Sequence, residues 1–491
     1  MQGMAVKTNY EPVIGLEIHA ELNTRTKMFC ASLNDPLEKH PNVNICPVCM
    51  GHPGTLPVIN REAVEKVIRV GLALGGEISS YSQFDRKNYF YPDLPKGYQI
   101  SQYKYPLVSG GILNDVRITR VHLEEDAGRL QHSKNGTLVD YNRAGVPLME
   151  LVTEPDIRSA AEARAFAEEL RKILRYVHAS DADMEKGQMR IEANISIRPA
   201  GALEFGTKVE VKNINSFRAV EKAILYEVQR HAEILNAGER VKQETRGWDD
   251  GKEITVPQRS KEEAHDYRYF PEPDLPPLCL TKDCGWDIEA LRSGLPELPI
   301  VKRVRFREQY GLSEKMALFF ADDKYFADYF EQAASELNAW LRESADEERA
   351  RAVGILANYL SSDLQALFAE KAGNIRDVLI TPENMAELVK MIYKNEVSSR
   401  AAKDVLRRMF VDGSDPSQIV EEGGLKQVSD AGALEAVVQK IMEENQKPVA
   451  DYKAGKQAAL QVLIGKVMQK TKGGANPEVV RILLTKLLGG V

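Results

Sequence analysis

Polar and apolar residues alternate with period two in several short stretches of the first 300 residues, and the period shifts to about 3.6 beyond them. In residues 13–22, Leu16, Ile18, Ala20 and Leu22 fall on one side of a strand, while Glu17, His19 and Glu21 fall on the other. Residues 190–198 repeat the pattern with Ile191, Ala193, Ile195 and Ile197 against Arg190, Glu192, Asn194, Ser196 and Arg198. Residues 208–212 put Lys208, Glu210 and Lys212 together, and residues 119–126 form a further strand that carries His122. In that strand parity separates Glu124 from Glu125, so a regular strand offers only one of them to a common site unless a bulge intervenes. Residues 147–152 are apolar except for Glu150.

Two helices interrupt the strands. Ser159-Ala160-Ala161-Glu162 is a capping box opening a helix with Leu170, Ile173, Leu174 and Val177 on one face. Phe217, Val220, Ile224, Val228 and Leu235 mark a second. Pro271, Pro273, Pro276 and Pro277 then punctuate the chain, and Leu295-Pro296-Glu297-Leu298-Pro299 reads as a domain exit. Helical periodicity continues to the C-terminus, with a break at Val411-Asp412-Gly413-Ser414-Asp415-Pro416. The pattern predicts an α+β protein: an antiparallel-sheet domain over residues 1–299, an all-helical domain over 300–412 and a helical tail over 413–491.

Composition narrows the class. A chain of 491 residues, 43% hydrophobic and 28% charged, has the makeup of a globular protein of about three domains. No apolar run reaches the length of a membrane span, and residues 1–7 lack a signal-peptide core. Five cysteines are too few for a disulfide framework and predict a reducing cytoplasm. The net charge of −7 disfavours indiscriminate nucleic-acid binding but leaves room for a local basic patch. One such patch lies at the end: residues 452–491 carry Lys453, Lys456, Lys466, Lys470, Lys472, Arg481 and Lys486 against the single acid Glu478.

Several strands with carboxylates on one face can hold divalent cations and a polyphosphate, because carboxylate oxygens suit Mg²⁺ and imidazole can join them. Cross-strand salt bridges with the accompanying Arg and Lys are the alternative. Glu150, alone in an apolar run, most needs a partner or a metal. Residues 84–102 interleave cations, aromatic rings and amides, as a loop receiving an anionic and partly planar ligand would. Cys46-Pro47-Val48-Cys49 is a tight knuckle with Cys30 sixteen residues before it. Zinc there needs a fourth ligand, for which His40 and His52 are candidates, and three plain thiols are the alternative. The chain has no Gly-x-x-x-x-Gly-Lys-[Ser/Thr] loop for a nucleotide and no Gly-x-Ser-x-Gly elbow for hydrolysis.

Together Val13-Ile14-Gly15-Leu16-Glu17-Ile18-His19, residues 84–102, His122-Leu123-Glu124-Glu125-Asp126-Ala127-Gly128, Glu154-Pro155-Asp156 and residues 266–274 (Asp-Tyr-Arg-Tyr-Phe-Pro-Glu-Pro-Asp) resemble the B subunit family of the aspartyl/glutamyl-tRNA(Asn/Gln) amidotransferases over the whole chain. The resemblance implies a cradle related to the glutamine synthetase fold, then a helical domain and a tRNA-binding helical tail. It implies ATP-dependent phosphorylation of the side-chain carboxylate of misacylated Glu-tRNA(Gln) or Asp-tRNA(Asn), followed by displacement of the phosphate by ammonia. The ammonia comes from an amidase (A) subunit that joins this chain and a small C subunit in a heterotrimer. On the same basis His19, Glu125 and Glu150 are the expected Mg²⁺ ligands, and Glu17, Glu192 and Glu210 are expected to serve the metal that accompanies the nucleotide. Lys87 and Lys96 are expected at phosphate or carboxylate, and Lys453, Lys456, Lys466, Lys470 and Lys472 at tRNA. Zn²⁺ on Cys30, Cys46 and Cys49 is in question, because many relatives have Cys-x-Cys where Cys30-Ala31-Ser32 stands here. Two other readings remain: a small-molecule amide ligase of the glutamine synthetase type, for which the tail has no use, and a non-catalytic RNA-binding scaffold.

Overall fold

The computed structural model describes residues 9–260, 267–427, 431–471 and 474–489. The chain divides into two compact units, Met1–Leu298 and Pro299–Val491.

The first unit is built on one large sheet. From one edge its strands run Ile254–Ser260, Glu244–Asp249, Val209–Ile214, Met189–Pro199, Tyr10–Glu21, Pro147–Thr153 and Val116–Glu125, with the short strands Val108–Ser109 and Glu77–Ile78 beyond. Tyr10–Glu21 lies at the centre, antiparallel to both neighbours. The expectation of an antiparallel sheet fails at one pair: Val209–Ile214 and Glu244–Asp249 are parallel. The helix Phe217–Asn236 connects them, and a crossover of that length returns the chain in its original direction.

Alternation gives the sheet two unlike faces. Leu16, Ile18, Ala20, Ile191, Ala193, Ile195, Val121, Leu123, Met149 and Leu151 are buried in one core with the helices Arg61–Ala73, Ala160–Tyr176 and Phe217–Asn236. Ser159 caps the second of these by accepting the Glu162 N–H, and Glu162 reaches back to the N–H of Arg158. The opposite face of the sheet carries the polar residues. Residues 84–102, expected as a loop, instead form a hairpin of Asp85–Asn88 and Tyr98–Ser101, in which Arg86 pairs with Ile100 and Lys87 with Gln99.

A buried ionic cluster ties the Phe217–Asn236 helix to the parallel edge. Glu227, fully buried, accepts from Arg230 at 2.7 Å and from the Thr255 hydroxyl, and lies 3.3 Å from Arg246 Nε and 3.1 Å from His231 Nε2. Burial pushes its carboxyl up, but His231, Arg230 and Thr255 outweigh that and hold it down to about 2. Glu227→Ala is expected to destabilise this unit by about 3–5 kcal/mol, because it strands buried cations. With a folded pKa below the unfolded value, the stability Glu227 contributes is present above the unfolded pKa and lost as pH falls toward 2. Denaturant unfolding of parent and variant should therefore differ most near neutrality and converge in acid.

The second unit is helical, from Pro299–Tyr310 to Pro477–Leu487. Its first core gathers Phe306, Phe320, Phe326 and Phe330 with Leu356, Leu360, Leu388, Val405 and Met409. The helix Ser399–Asp412 ends at Gly413, whose φ of 72° suits a residue without Cβ, and Asp415 caps Pro416–Glu422. The helix break thus lies where the sequence puts it, but Ile419 and Val420 still pack into the first core. A separate cluster begins only at Leu434, with Val438, Leu463, Val467 and Leu483, so the change of core comes after Leu425 rather than at residue 412. Lys453, Lys466 and Lys470 are exposed, Lys456 is exposed and donates to Asp451 at 2.9 Å, and Lys472 lies outside the described residues. Among the described residues no helix is long and apolar enough to cross a membrane.

Candidate active site

Strand register assembles the site. Across the central strands His122 faces Glu150, Glu150 faces His19, and His19 faces Arg190, which makes one row on the polar face. Two residues along, Glu124 and Glu21 flank Leu148 in the next row. In the other direction Glu17 faces Glu192, while Asn194 faces Glu210. All of these residues except Glu21 and Asn194 line a cavity of about 450 Å³. Its remaining wall comes from Lys87, Tyr89, Tyr103, Tyr267 and Tyr269, together with Arg143 and Asp126.

Two groups of ligand-bearing atoms converge there. One atom each of His19, Glu124 and Glu150 lies within 4.8 Å of the others, and the same holds for Glu17, Glu192 and Glu210. His19 Nε2 is 3.3 Å from Glu150 and 3.5 Å from Glu124. Burial alone would lower the His19 imidazole, but its hydrogen bond to Glu150 and the charges of Glu150 and Glu124 outweigh it and raise it to about 9. Burial drives His122 the other way, down to about 4, although its Nε2 lies 3.5 Å from Glu150. Glu150 is held well below the carboxylate range: burial opposes this, but His122, His19 and Lys87 prevail. Glu124 is raised by burial and by the charge of Glu150. A divalent cation held by this imidazole and these two carboxylates would displace the His19 proton and balance the carboxylate charge.

Glu125, expected in this set, is not in it. As the neighbour of Glu124 it faces the other side of the sheet, opposite Pro147, and there it accepts from Lys96 Nζ at 2.6 Å and from the Ile100 N–H at 2.9 Å. The strand has no bulge between Glu124 and Glu125, so only one of them can reach the cavity. Lys96 leaves the cavity with Glu125. Both instead line a smaller pocket of about 140 Å³ with Cys30, Cys49 and His52. Lys87 does line the cavity, where burial lowers its ammonium but Glu124, Tyr269 and Glu150 outweigh this and raise it.

The second group is balanced by Lys212, which donates to Glu192 at 2.7 Å and lies 3.6 Å from Glu210. Asn194 donates to Glu17 at 2.8 Å, and Thr245 to Glu210 at 2.6 Å. Farther along, Arg190 and Arg143 pair with the buried Asp126. Sequence reasoning missed His122, Glu124, Lys212 and this arginine pair as site residues. The shared parity of residues 120, 122 and 124 was the available signal for the first two.

Cys30, Cys46 and Cys49 come together, each sulfur within 4.8 Å of the others. The knuckle turns at Gly51, whose φ of 66° and close approach to the Lys96 side chain leave no room for a Cβ. Neither candidate histidine joins the sulfurs among the described residues; His40 is exposed and bonded to Glu38, and His52 only lines the pocket. Instead the fully buried Lys27 ammonium lies 3.9 Å from Cys49 Sγ and donates to the Tyr141 carbonyl at 3.1 Å. Ser32 Oγ is also 3.9 Å from Cys49 Sγ. The three thiols fit three corners of a zinc site, and no fourth protein ligand stands with them among the described residues. The remaining two cysteines, Cys279 and Cys284, form a disulfide, because the turn at Lys282–Cys284 brings their Cα atoms to 5.9 Å; the cysteine count, which predicted a reducing setting, did not point to it.

Comparison with known proteins bears on this arrangement. A family described as "GatB/GatE catalytic domain" matches residues 12–285, and one described as "GatB domain" matches residues 342–488. The chain is 48% identical over 488 residues to a protein of Caldanaerobacter subterraneus subsp. tengcongensis named as the B subunit of an aspartyl/glutamyl-tRNA(Asn/Gln) amidotransferase, covering 98% of this chain and 99% of that one. Proteins of the same name from Carboxydothermus hydrogenoformans (47%; 97% and 98% covered) and Persephonella marina (48%; 98% and 99% covered) are similar throughout their length.

Proposed function

The chain belongs to the GatB/GatE family, among the B subunits of the aspartyl/glutamyl-tRNA(Asn/Gln) amidotransferases, and from that premise we propose that its acidic cavity activates the side-chain carboxylate of Glu-tRNA(Gln) or Asp-tRNA(Asn) for amidation. It is one component of an ATP-dependent amidotransferase that works with other subunits on tRNA. The partners we infer are an amidase (A) subunit, which supplies ammonia, and a small C subunit.

The carrying observation is the pair of ligand groups, His19/Glu124/Glu150 and Glu17/Glu192/Glu210, on one open sheet face. A carboxylate is a poor electrophile because ammonia cannot expel an oxide. Its oxygen attacks the γ-phosphorus of ATP, ADP leaves, and the resulting acyl phosphate has a good leaving group. Ammonia then adds at the acyl carbon, loses a proton, and inorganic phosphate departs. Mg²⁺ bound to these two groups supplies the charge neutralisation that phosphoryl transfer requires. The Lys87 ammonium, held in its charged form beside Glu124 and Glu150, attracts the transferring phosphoryl oxygens. Arg190 and Arg143, fixed on Asp126, offer guanidinium groups to an anionic substrate at the far end of the cavity.

We further infer that the sheet domain is a cradle of the glutamine synthetase kind, for which a large, mainly antiparallel sheet with an acidic open face is the support. The helical cluster that begins near Leu434 is the proposed tRNA-binding tail. We infer a cytoplasmic setting, which the free thiols of Cys30, Cys46 and Cys49 support and the Cys279–Cys284 disulfide does not. The complex should be supplied with charged tRNA and ATP but with hydroxylamine in place of glutamine. An activated carboxylate is then trapped as a hydroxamate on the aminoacyl group, and no hydroxamate in the presence of ATP would overturn the reading.

Zinc on Cys30, Cys46 and Cys49 is part of the same proposal. Three thiolates and Zn²⁺ carry one net negative charge, which the Lys27 ammonium neutralises. Protein prepared without chelator is expected to hold about one zinc per chain, and Cys46→Ser to release it and lower the melting temperature. Metal analysis of both proteins checks this.

A further inference from the structure

The phosphoryl-transfer reading leaves one wall of the cavity unused. Tyr89, Tyr103, Tyr267 and Tyr269 line the cavity alongside the carboxylates. Tyr103 and Tyr269 stack face to face, with ring centroids 4.3 Å apart and planes 9° from parallel. Tyr267 meets Tyr269 edge-on at 6.1 Å, and Tyr89 meets Tyr267 in the same way.

The stack is assembled from two distant segments, each anchored separately. Buried Asp85 accepts the N–H groups of Tyr103 at 3.0 Å and Lys104 at 3.2 Å, and the neighbouring Gln102 is bonded to Ser82 and to the Leu123 N–H. Tyr269 adjoins Phe270, which pairs with Arg86, and Arg86 binds Glu272 through two hydrogen bonds of 2.7 and 2.8 Å. With its backbone fixed and one ring face covered by Tyr269, Tyr103 nevertheless remains 58% exposed. A large aromatic residue on a rigid support inside a polar cavity thus keeps more than half its surface open. Its free face suits a flat π-system.

The stack is also tied electrostatically to the reacting end. Lys87 Nζ lies 5.1 Å over the Tyr267 ring, while Glu124 and Glu150 are among the groups that favour its charge. A ligand with a planar base at one end and phosphate or acyl groups at the other would therefore span from Tyr103 to the ligand groups. We propose that the Tyr103–Tyr269 stack is the platform for a purine base, with the base stacking on the outer face of Tyr103. At 4.3 Å the two rings are already in contact, so nothing inserts between them. The reaction brings in two purines of the same chemistry, the adenine of ATP and the 3′-terminal adenine of the charged tRNA. This inference rests on the proposed function for its ligands but not for its geometry.

The test uses the complete complex with its partner subunits. Tyr103→Ala is expected to raise KM about tenfold for one of the two substrates, the order found when a base loses an aromatic partner. Tyr103→Phe, which keeps the ring, should stay within twofold of the parent. A rise for ATP assigns the platform to ATP, and a rise for charged tRNA assigns it to the terminal adenosine. As a second readout, 2-aminopurine riboside triphosphate and tRNA ending in 2-aminopurine are added in turn to parent and Tyr103→Ala complexes. Stacking quenches the fluorescence of one probe in the parent and not in the variant. Unchanged KM values for both substrates in Tyr103→Ala, or equal quenching in parent and variant, would overturn the proposal. Failure of the wider reading shows separately, as absence of ATP-dependent amidation in the parent complex.

Discussion

Alanine at Glu124 is expected to lower ATP-dependent amidation by about a thousandfold or more, while glutamine hydrolysis by the partner subunit continues. The estimate corresponds to about 4 kcal/mol of lost charge stabilisation when a group that should hold a catalytic cation is removed. The prediction is sharpened by its neighbour. Glu125→Ala removes the 2.6 Å contact with Lys96 and leaves the Ile100 N–H without its acceptor. It should lower thermal stability, and its effect on divalent-cation affinity should be slight. Cation titration followed by calorimetry, alongside amide formation on charged tRNA, separates the two residues. If Glu125→Ala loses the cation and Glu124→Ala keeps it, the assignment by strand face is wrong.

The second large effect is expected in the tail. Lys453, Lys466 and Lys470 are exposed, whereas Lys456 is partly engaged by Asp451. Leu460, Leu463, Ile464 and Val467 are buried in the tail's own core, so the same helix turns its lysines outward. Replacing these four lysines by glutamine removes charge without touching that core. The dissociation constant for charged tRNA at ~0.1 M salt should rise by about ten- to a hundredfold, because each lost phosphate contact removes counterion release. The slope of log K against log salt should shrink by about 2 to 3. The KM for ATP should stay near the parent value, since the proposed phosphoryl-transfer residues all precede residue 299. Unchanged tRNA affinity and salt slope would exclude this surface as an RNA contact.

Much of this site is legible in the sequence, and the limits have physical causes. Period-two alternation was enough to place Glu17, His19, Glu192 and Glu210 on strand faces, because a strand side chain's direction follows from its position number, while Glu150 stood out only as the lone carboxylate of an apolar run. Alternation also says that Glu124 and Glu125 part company, but not which of them faces His19. That depends on the cross-strand register, here Glu150 opposite both His19 and His122, which is a tertiary fact. The tyrosine stack was still less accessible, since Tyr103 and Tyr269 belong to segments far apart in the chain that meet through tertiary contacts such as those of Arg86 and Asn88. Among the helices, the glycine at 413 announces a break, but a break in a helix is not a break in a core. Ile419 and Val420 continue the earlier packing past it. The disulfide between Cys279 and Cys284 depends on a local turn that composition does not report.

The dipeptide Glu124-Glu125 sits in the wall between two compartments, one residue serving the carboxylate cavity and the other the cysteine pocket. Chain length upstream of it is therefore constrained in a way that residue identity alone does not capture. Inserting a single residue within Val116–Glu125 would exchange the two glutamates between compartments without altering either of them. Inserting two would restore the faces but shift each carboxylate along the strand by about 7 Å, a whole row out of reach of its partners. Lineages carrying this activity should thus admit almost no change in the length of that strand, whereas the exposed turn of the neighbouring hairpin of Arg129–Ser133 and Gly136–Asp140 can change in length.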